Sequence, residues 1–344
     1  MTSEKKRRVG TKYLLAVVVA VIVIGVVLWQ AFPLLVKTQE NTSLTNLLPM
    51  NLTIVGLNGT QIVLNETAIG GLPSFESKGG FKTSVGALGG IGNYTGVQLS
   101  TLLALVGGLN SDSSLRVTAS DGYTMVYTYN QVQGEDFTTY NPPTGDEVSA
   151  SQPFTVVLAY HLNGMNLTSD DGPLRFAILG SQGLLTDGHF WVKMVTKLEI
   201  LPAVADWTLR LTGPYPDNMS RGAFESGLNC HNSTWTDINN NTWTGMPLWF
   251  LIGWIDDKGD SNRMGFNDTL ARQGYTVNVI TGQGYSESFN SSTVMHNDNI
   301  IVADKLNGAP LPNPYWPLRL VGSELSNNET LSNIVEIQMI LPGS

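Results

Sequence analysis

The 344-residue chain predicts an α+β fold: two tandem domains of mixed and antiparallel β-sheet with short helices, following one apolar N-terminal segment. Two observations predict it. The first is a pattern that occurs twice. Asn163-Gly164 is followed by Gly172-Pro173-Leu174-Arg175, and Asn307-Gly308 by Trp316-Pro317-Leu318-Arg319, with the same spacing from glycine to proline. Asn-Gly favours tight hairpins because both residues tolerate positive φ. Each copy therefore reads as a strand, a turn, a short loop and a second strand opened by Pro-Leu-Arg. The second observation is that the surrounding elements recur in the same order, which is the mark of an internal duplication.

Taken in order, Tyr94-Thr95-Gly96-Val97-Gln98-Leu99 is echoed by Trp243-Thr244-Gly245-Met246-Pro247-Leu248. An apolar stripe follows each: Leu99, Leu102, Leu103 and Val106, then Leu248, Leu251, Ile252 and Ile255. Spacing of i, i+3, i+4, i+7 predicts a short helix with one buried face. Next come alternating segments. Leu115, Val117 and Ala119 run through Asp121-Gly122 into Tyr123, Met125 and Tyr127; Tyr275, Val277 and Val279 run through Gly282 and Gly284 into Tyr285. Period-two alternation around glycine signals a hairpin. The hydrophobic runs 155–160 and 299–303 supply the strand before each Asn-Gly. Hairpins mixed with short helices argue for α+β rather than a doubly wound parallel sheet. The domains are expected at 50–201 and 206–344, joined by Leu201-Pro202-Ala203-Val204-Ala205-Asp206.

The N-terminus predicts a membrane anchor. Lys5, Lys6, Arg7, Arg8 and Lys12 form a basic tail over 1–12, and 13–36 is apolar enough to span a bilayer, which takes about 20 residues. The basic cluster stays cytoplasmic by the positive-inside rule. A single-pass signal anchor, a stalk at 37–49 and a C-terminal ectodomain outside the cell follow; a cleaved signal peptide is the competing reading.

Composition agrees with the exterior. Asn-x-Ser/Thr acceptors stand at Asn41, Asn51, Asn58, Asn65, Asn93, Asn166, Asn218, Asn232, Asn240, Asn267, Asn290 and Asn328, as in a glycosylated surface protein. Of 19 Lys+Arg and 28 Asp+Glu, the tail holds five and one (Glu4), leaving 14 against 27 and a charge near −13. Such an acidic ectodomain argues against nucleic acid and anionic lipid as partners. Cys230 is the only cysteine, so no intrachain disulfide forms. A buried inert thiol, a link to another chain and a metal ligand all remain open for it. The dense sequons, anchor and lack of disulfides suggest an archaeal envelope protein.

The order of Cys230, Trp243-Thr244-Gly245-Met246-Pro247-Leu248, a helix, a Gly-Tyr-Ser hairpin, a strand, Asn-Gly, Pro-Leu-Arg and a closing strand resembles the molybdopterin-binding domain of the sulfite oxidase family. In the first copy, residues 172–178 and 191–200 resemble that family's closing signature, and the resemblance runs from about Asn51 to Leu341. It implies a mixed α+β fold. In the family's enzymes it implies a pterin–dithiolene molybdenum centre held by one cysteine thiolate, performing oxygen-atom or two-electron chemistry. On that resemblance Cys230, 13 residues before Trp243, is the candidate catalytic residue and molybdenum ligand. Arg175, His189, Lys193 and Arg319 are the candidate cofactor-binding residues. The chain departs from the pattern at Phe81, where the same count back from Tyr94 lands, and at Leu331-Ser332-Asn333-Ile334, which stands opposite Val192-Lys193.

Elsewhere, residues 256–262 are oxygen-rich but lack the ligand periodicity of a calcium loop. Two function classes follow. In one, the domains are degenerate and serve binding or envelope assembly without a cofactor, with an envelope protein or a second copy of the chain as partner. In the alternative, the chain is an anchored molybdopterin-dependent oxidoreductase with Cys230 on molybdenum and a redox partner protein.

Overall fold

The computed structural model describes residues 50–257, 265–326 and 329–343. The predicted basic tail, anchor and stalk, Asn41, Asn328 and most of the 256–262 loop lie outside these residues. Among the described residues no helix is long and apolar enough to cross a membrane.

The first half runs β1 (Asn51–Val55), β2 (Gln61–Asn65), α1 (Glu66–Gly70), β3 (Ser74–Lys82), β4 (Leu88–Gln98), α2 (Leu99–Ala104), β5 (Ser113–Ala119), β6 (Thr124–Tyr127), α3 (Tyr129–Val132), β7 (Thr139–Tyr140), β8 (Thr155–Leu162), β9 (Met165–Asn166), β10 (Arg175–Gly180), β11 (Leu185–Asp187), a 3-10 turn (Gly188–Phe190) and β12 (Val195–Pro202). The second half runs β13 (Thr208–Thr212), β14 (Asp217–Ser220), α4 (Arg221–His231), β15 (Ser233–Thr236), β16 (Thr242–Pro247), α5 (Leu248–Gly253), α6 (Asp268–Gln273), β17 (Thr276–Thr281), β18 (Ser286–Asn290), α7 (Ser291–Val294), β19 (Ile301–Leu306), β20 (Ala309–Pro310), β21 (Arg319–Val321) and β22 (Ile334–Ile340).

The two halves use one strand plan. Sheet order β2-β1-β12-β5-β6 in the first is matched by β14-β13-β22-β17-β18 in the second. In both, the final strand pairs parallel to the first strand (β1–β12, β13–β22) and antiparallel to the hairpin strand (β12–β5, β22–β17). A further sheet in the first half joins β10, β8, β4 and β3, with β10 also pairing β3 so that these four strands close on themselves. Its counterpart is smaller: β15-β16-β19-β20, with β21 on β19.

Local chemistry accounts for the recurring motifs. Asn163 and Asn307 sit at φ 53° and 52°, and Gly164 and Gly308 at 76° and 79°, the left-handed pair that a two-residue hairpin requires. Each Asn side chain also reaches across to its neighbouring strand. Asn163 Oδ1 accepts from the Asn93 N–H at 3.0 Å, and Asn307 Oδ1 accepts from the Thr242 N–H at 2.8 Å. At Gly96 and Gly245 a Cβ would overlap the carbonyls of Leu158 and Val302 on the adjacent strand, so only glycine admits the close approach of β4 to β8 and of β16 to β19. The predicted helical stripes are buried throughout: Leu99, Leu102, Leu103 and Val106, and Leu248, Leu251, Ile252 and Ile255. Each half has its own main core, with a small third cluster around Trp243, Ile301, Ala303, Leu311 and Val321.

The predicted connector, residues 201–206, joins the two halves, and the described residues from 50 onward cluster as one compact unit. The reason is α4, which belongs to the second half but lies against the β5–β6 hairpin of the first. Asn229 Oδ1 accepts from the Thr124 N–H at 3.2 Å, and its Nδ2 donates to the Thr124 carbonyl at 3.3 Å, so one amide side chain mimics a strand on the outer edge of β6. The Tyr123 hydroxyl donates to the His189 carbonyl at 3.0 Å and lies 2.9 Å from Ser226 Oγ.

Candidate functional site

Pro173 and Leu174 lead directly into β10, which starts with Arg175 in the wall of the closed sheet. Its side chain is only 4% exposed, and its Nη1 donates to Asp171 Oδ1 at 2.5 Å. Lys193 reaches the same carboxylate oxygen at 3.4 Å. The guanidinium lies 4.8 Å from the Phe81 ring and 5.7 Å from that of Trp191, and Trp191 in turn packs on Tyr94 at 5.3 Å. Beneath this cluster Gly79 of β3 is so tightly enclosed that a Cβ there would press on Leu179, Trp191 and the Ile178 carbonyl. Arg175 Nε is buried without a hydrogen-bond partner.

Of the four candidate cofactor-binding residues, the structure brings together only Arg175 and Lys193, and it does so around Asp171. His189 faces away, its Nε2 buried without a partner and directed at Gly222 of α4. Arg319, at the start of β21, is in the other half. Its guanidinium packs over the rings of Tyr315 (4.1 Å) and Trp243 (4.7 Å), and among the described residues it makes no ion pair. Trp243 is anchored by an Nε1 bond to Asp237 Oδ2 at 3.1 Å.

Cys230 belongs to neither arginine cluster. It lies in the last turn of α4 and is exposed, so the buried-thiol reading does not hold. It is close enough to the Tyr123 hydroxyl to help raise that group's pKa to about 12, a shift caused first by burial. The helix places it where a strand approaching Trp243 would not, because β15 begins only at Ser233, after α4 has ended. Asn232 and Asn240 on either side of β15 are exposed.

These positions decide how well a phosphorylated pterin would be held. Such a group needs free cationic or backbone donors. In the first half the two cations already share a carboxylate, and aromatic rings cover the guanidinium. The chain's one thiol is in the other half, on an exposed helix end. Arg175, His189, Lys193, Arg319 and Cys230 therefore do not come together as a site for a molybdenum–pterin group. Sequence reasoning missed Asp171, although its place four residues before Arg175, ahead of Gly172-Pro173, was a usable signal. It also missed the α4 clamp, whose partners are far apart in sequence.

His189 carries a pH signature. Burial lowers its pKa to about 4, from about 6.5 when unfolded. Between those values the unfolded chain binds a proton that the folded chain refuses, so the stability contributed by neutral His189 is present above pH ~6.5 and is lost as pH falls toward ~4. Asp304 has the opposite sign: burial raises its carboxyl to about 7, which favours the fold as pH falls. Comparing His189→Phe with the wild type cancels the Asp304 contribution. Urea unfolding from pH 7 to 4.5 is expected to show a shallower stability loss in the variant, by about 1 kcal/mol per pH unit through most of the window. Parallel curves would mean that His189 is protonated within the fold.

Residues 68–209, from α1 to β13, match the family model described as the oxidoreductase molybdopterin binding domain. Among solved structures, the sulfane dehydrogenase SoxCD from Paracoccus pantotrophus is similar at 14% identity and a TM-score of 0.36, over 70% of this chain and 58% of that one. The chain thus spans little more than half the length of that structure. No curated protein matches the sequence.

Proposed function

We propose that this chain is a membrane-anchored extracellular glycoprotein in which molybdopterin-domain-type folds serve binding or envelope assembly rather than molybdenum chemistry. The observation that carries this reading is the Asp171 carboxylate seated between Arg175 and Lys193, where a cofactor phosphate would need their charge. We read residues 206–344 as a divergent second copy of the domain. The matching strand order supports this, as does Arg319 opening β21 as Arg175 opens β10. Exposed sequon asparagines at Asn51, Asn58, Asn65, Asn93, Asn166, Asn218, Asn232, Asn240 and Asn290 support the glycoprotein reading. Asn267 is the exception: it is half-buried, with its Nδ2 donating to Asp257 at 3.1 Å.

The test is the molybdenum content of the full-length protein purified from a host that makes the cofactor, beside Cys230→Ser. The expected result is molybdenum far below one atom per chain, unchanged by the substitution. Near-stoichiometric metal that disappears in the variant would overturn the proposal and make the chain a molybdopterin-dependent oxidoreductase.

A further inference from the structure

Asparagine is depleted in β-strands, yet four sequon asparagines lie in strands that are free on one side: Asn65 in β2, Asn166 in β9, Asn218 in β14 and Asn290 in β18. A fifth, Asn240, stands in the turn that leaves the edge strand β15. Free edges present unpaired N–H and C=O groups and invite another chain to pair. Exposed apolar side chains accompany these asparagines. Val63 (62% exposed) is near Asn65, Met165 (70%) adjoins Asn166, Tyr215 (44%) precedes Asn218, Ile238 (101%) precedes Asn240, and Tyr285 (71%) precedes Asn290. An apolar group on an open edge is the most adhesive kind of edge. The remaining edge of comparable length, β6, has no sequon and is the one closed by Asn229 of α4. Among the described residues, then, the outer strands of the two matching five-stranded sheets carry either a sequon (β2, β14 and β18) or the α4 clamp (β6).

The side chains are available for modification. Asn65 caps α1 through Oδ1, accepting from the Ala68 N–H at 2.9 Å, which leaves its Nδ2 free. Asn166, Asn218 and Asn290 are exposed and make no side-chain hydrogen bond among the described residues.

We propose that Asn65, Asn166, Asn218 and Asn290 are glycan acceptors whose sugars close the sheet edges against strand addition by another copy of this chain. The inference rests on the extracellular glycoprotein reading above. In the transfer, Asn Nδ2 bonds to the anomeric carbon of a lipid-phosphate-linked sugar donor. The anomeric C–O bond to phosphate breaks, and the amide proton passes to the departing lipid phosphate; a separate transferase performs the step. A bulky, hydrated glycan beside the strand then blocks the approach of a second edge.

The experiment compares two variants of the full chain, made in its glycosylating host and solubilised in detergent. The edge variant combines Thr67→Ala, Asn166→Gln, Asn218→Gln and Asn290→Gln; Thr67→Ala removes the acceptor sequence while keeping the Asn65 cap. The control combines Asn51→Gln and Asn93→Gln, in the interior strands β1 and β4. Glycopeptide mass spectrometry reads occupancy and analytical ultracentrifugation reads assembly. Occupied edge sites, with multimers in the edge variant and wild-type behaviour in the control, are expected. Unoccupied edge sites beside occupied interior ones, or equal association in both variants, would overturn the inference and leave the glycoprotein reading standing. No glycan at any site would overturn both.

Discussion

Replacing Arg221 with methionine is expected to cost the folded chain about 3–5 kcal/mol, the range for removing one partner from a buried ionic network. The Arg221 side chain is 2% exposed. Its Nε donates to Asp206 at 3.2 Å, its Nη1 to Glu225 at 2.8 Å and its Nη2 to the Val126 carbonyl at 3.0 Å. One guanidinium therefore joins the connector, α4 and the β6 strand of the first half. Asp304 also feels it: burial raises the Asp304 pKa, and Lys305 and Arg221 pull it down while Glu225 pushes it up. Without Arg221, Glu225 loses its ion pair, Asp304 is left with Lys305 at 4.0 Å against the Glu225 charge, and the Val126 carbonyl loses its donor. The measurement is the guanidinium chloride unfolding midpoint of the full chain. Adding Glu225→Gln to Arg221→Met should recover part of the loss, because it removes a stranded charge. A loss below about 1 kcal/mol, typical of an exposed pair, would show that water replaces the guanidinium and that α4 is not a clamp.

Much of this fold was legible because local rules decide it. The positive-φ demand of a two-residue hairpin selects Asn163-Gly164 and Asn307-Gly308, and helical spacing marks the buried faces of α2 and α5 before any tertiary contact is known. Arg175 was legible as a cation at the head of a strand, but as a candidate for cofactor binding; the structure pairs it with Asp171 instead. The arrangement of the site was less legible. Cys230 lies at a distance from Trp243 that suits a ligand in sequence, but the chain spends that distance on an eleven-residue helix rather than on a strand. His189 reads as a lone histidine in a turn; only the docking of α4 makes it buried, because Gly222 of a remote segment covers it. The union of the halves depends on Tyr123, Thr124 and Val126 meeting Ser226, Asn229 and Arg221, about a hundred residues apart, and no periodicity reports such a pairing.

The second large effect is expected at Asp171, where stability and ligand binding should trade places. Asp171→Ala leaves Arg175 buried without its counter-ion, and a loss of about 3 kcal/mol is expected on that ground. The same change opens a site. Arg175 offers a planar fork, Lys193 is 49% exposed beside it, and Asp171 itself is 25% exposed, so the vacated position is open to solvent. Phosphate fits two such cations better than chloride does, because its oxygens accept charge-assisted hydrogen bonds from both. Thermal unfolding in rising phosphate, with ionic strength held constant by sodium chloride, should therefore stabilise Asp171→Ala and leave the wild type nearly unchanged. At a hundred times its dissociation constant a ligand adds about 2.7 kcal/mol, enough to restore most of the loss. Asp171→Asn, which keeps the shape and removes the charge, should lie between the two proteins in both stability and phosphate response. Equal gains in wild type and variant would mark a general salt effect and would mean that the carboxylate is not standing in for a bound anion. A response confined to the variants would show that the domain keeps the cationic half of a phosphate site and fills it with its own side chain.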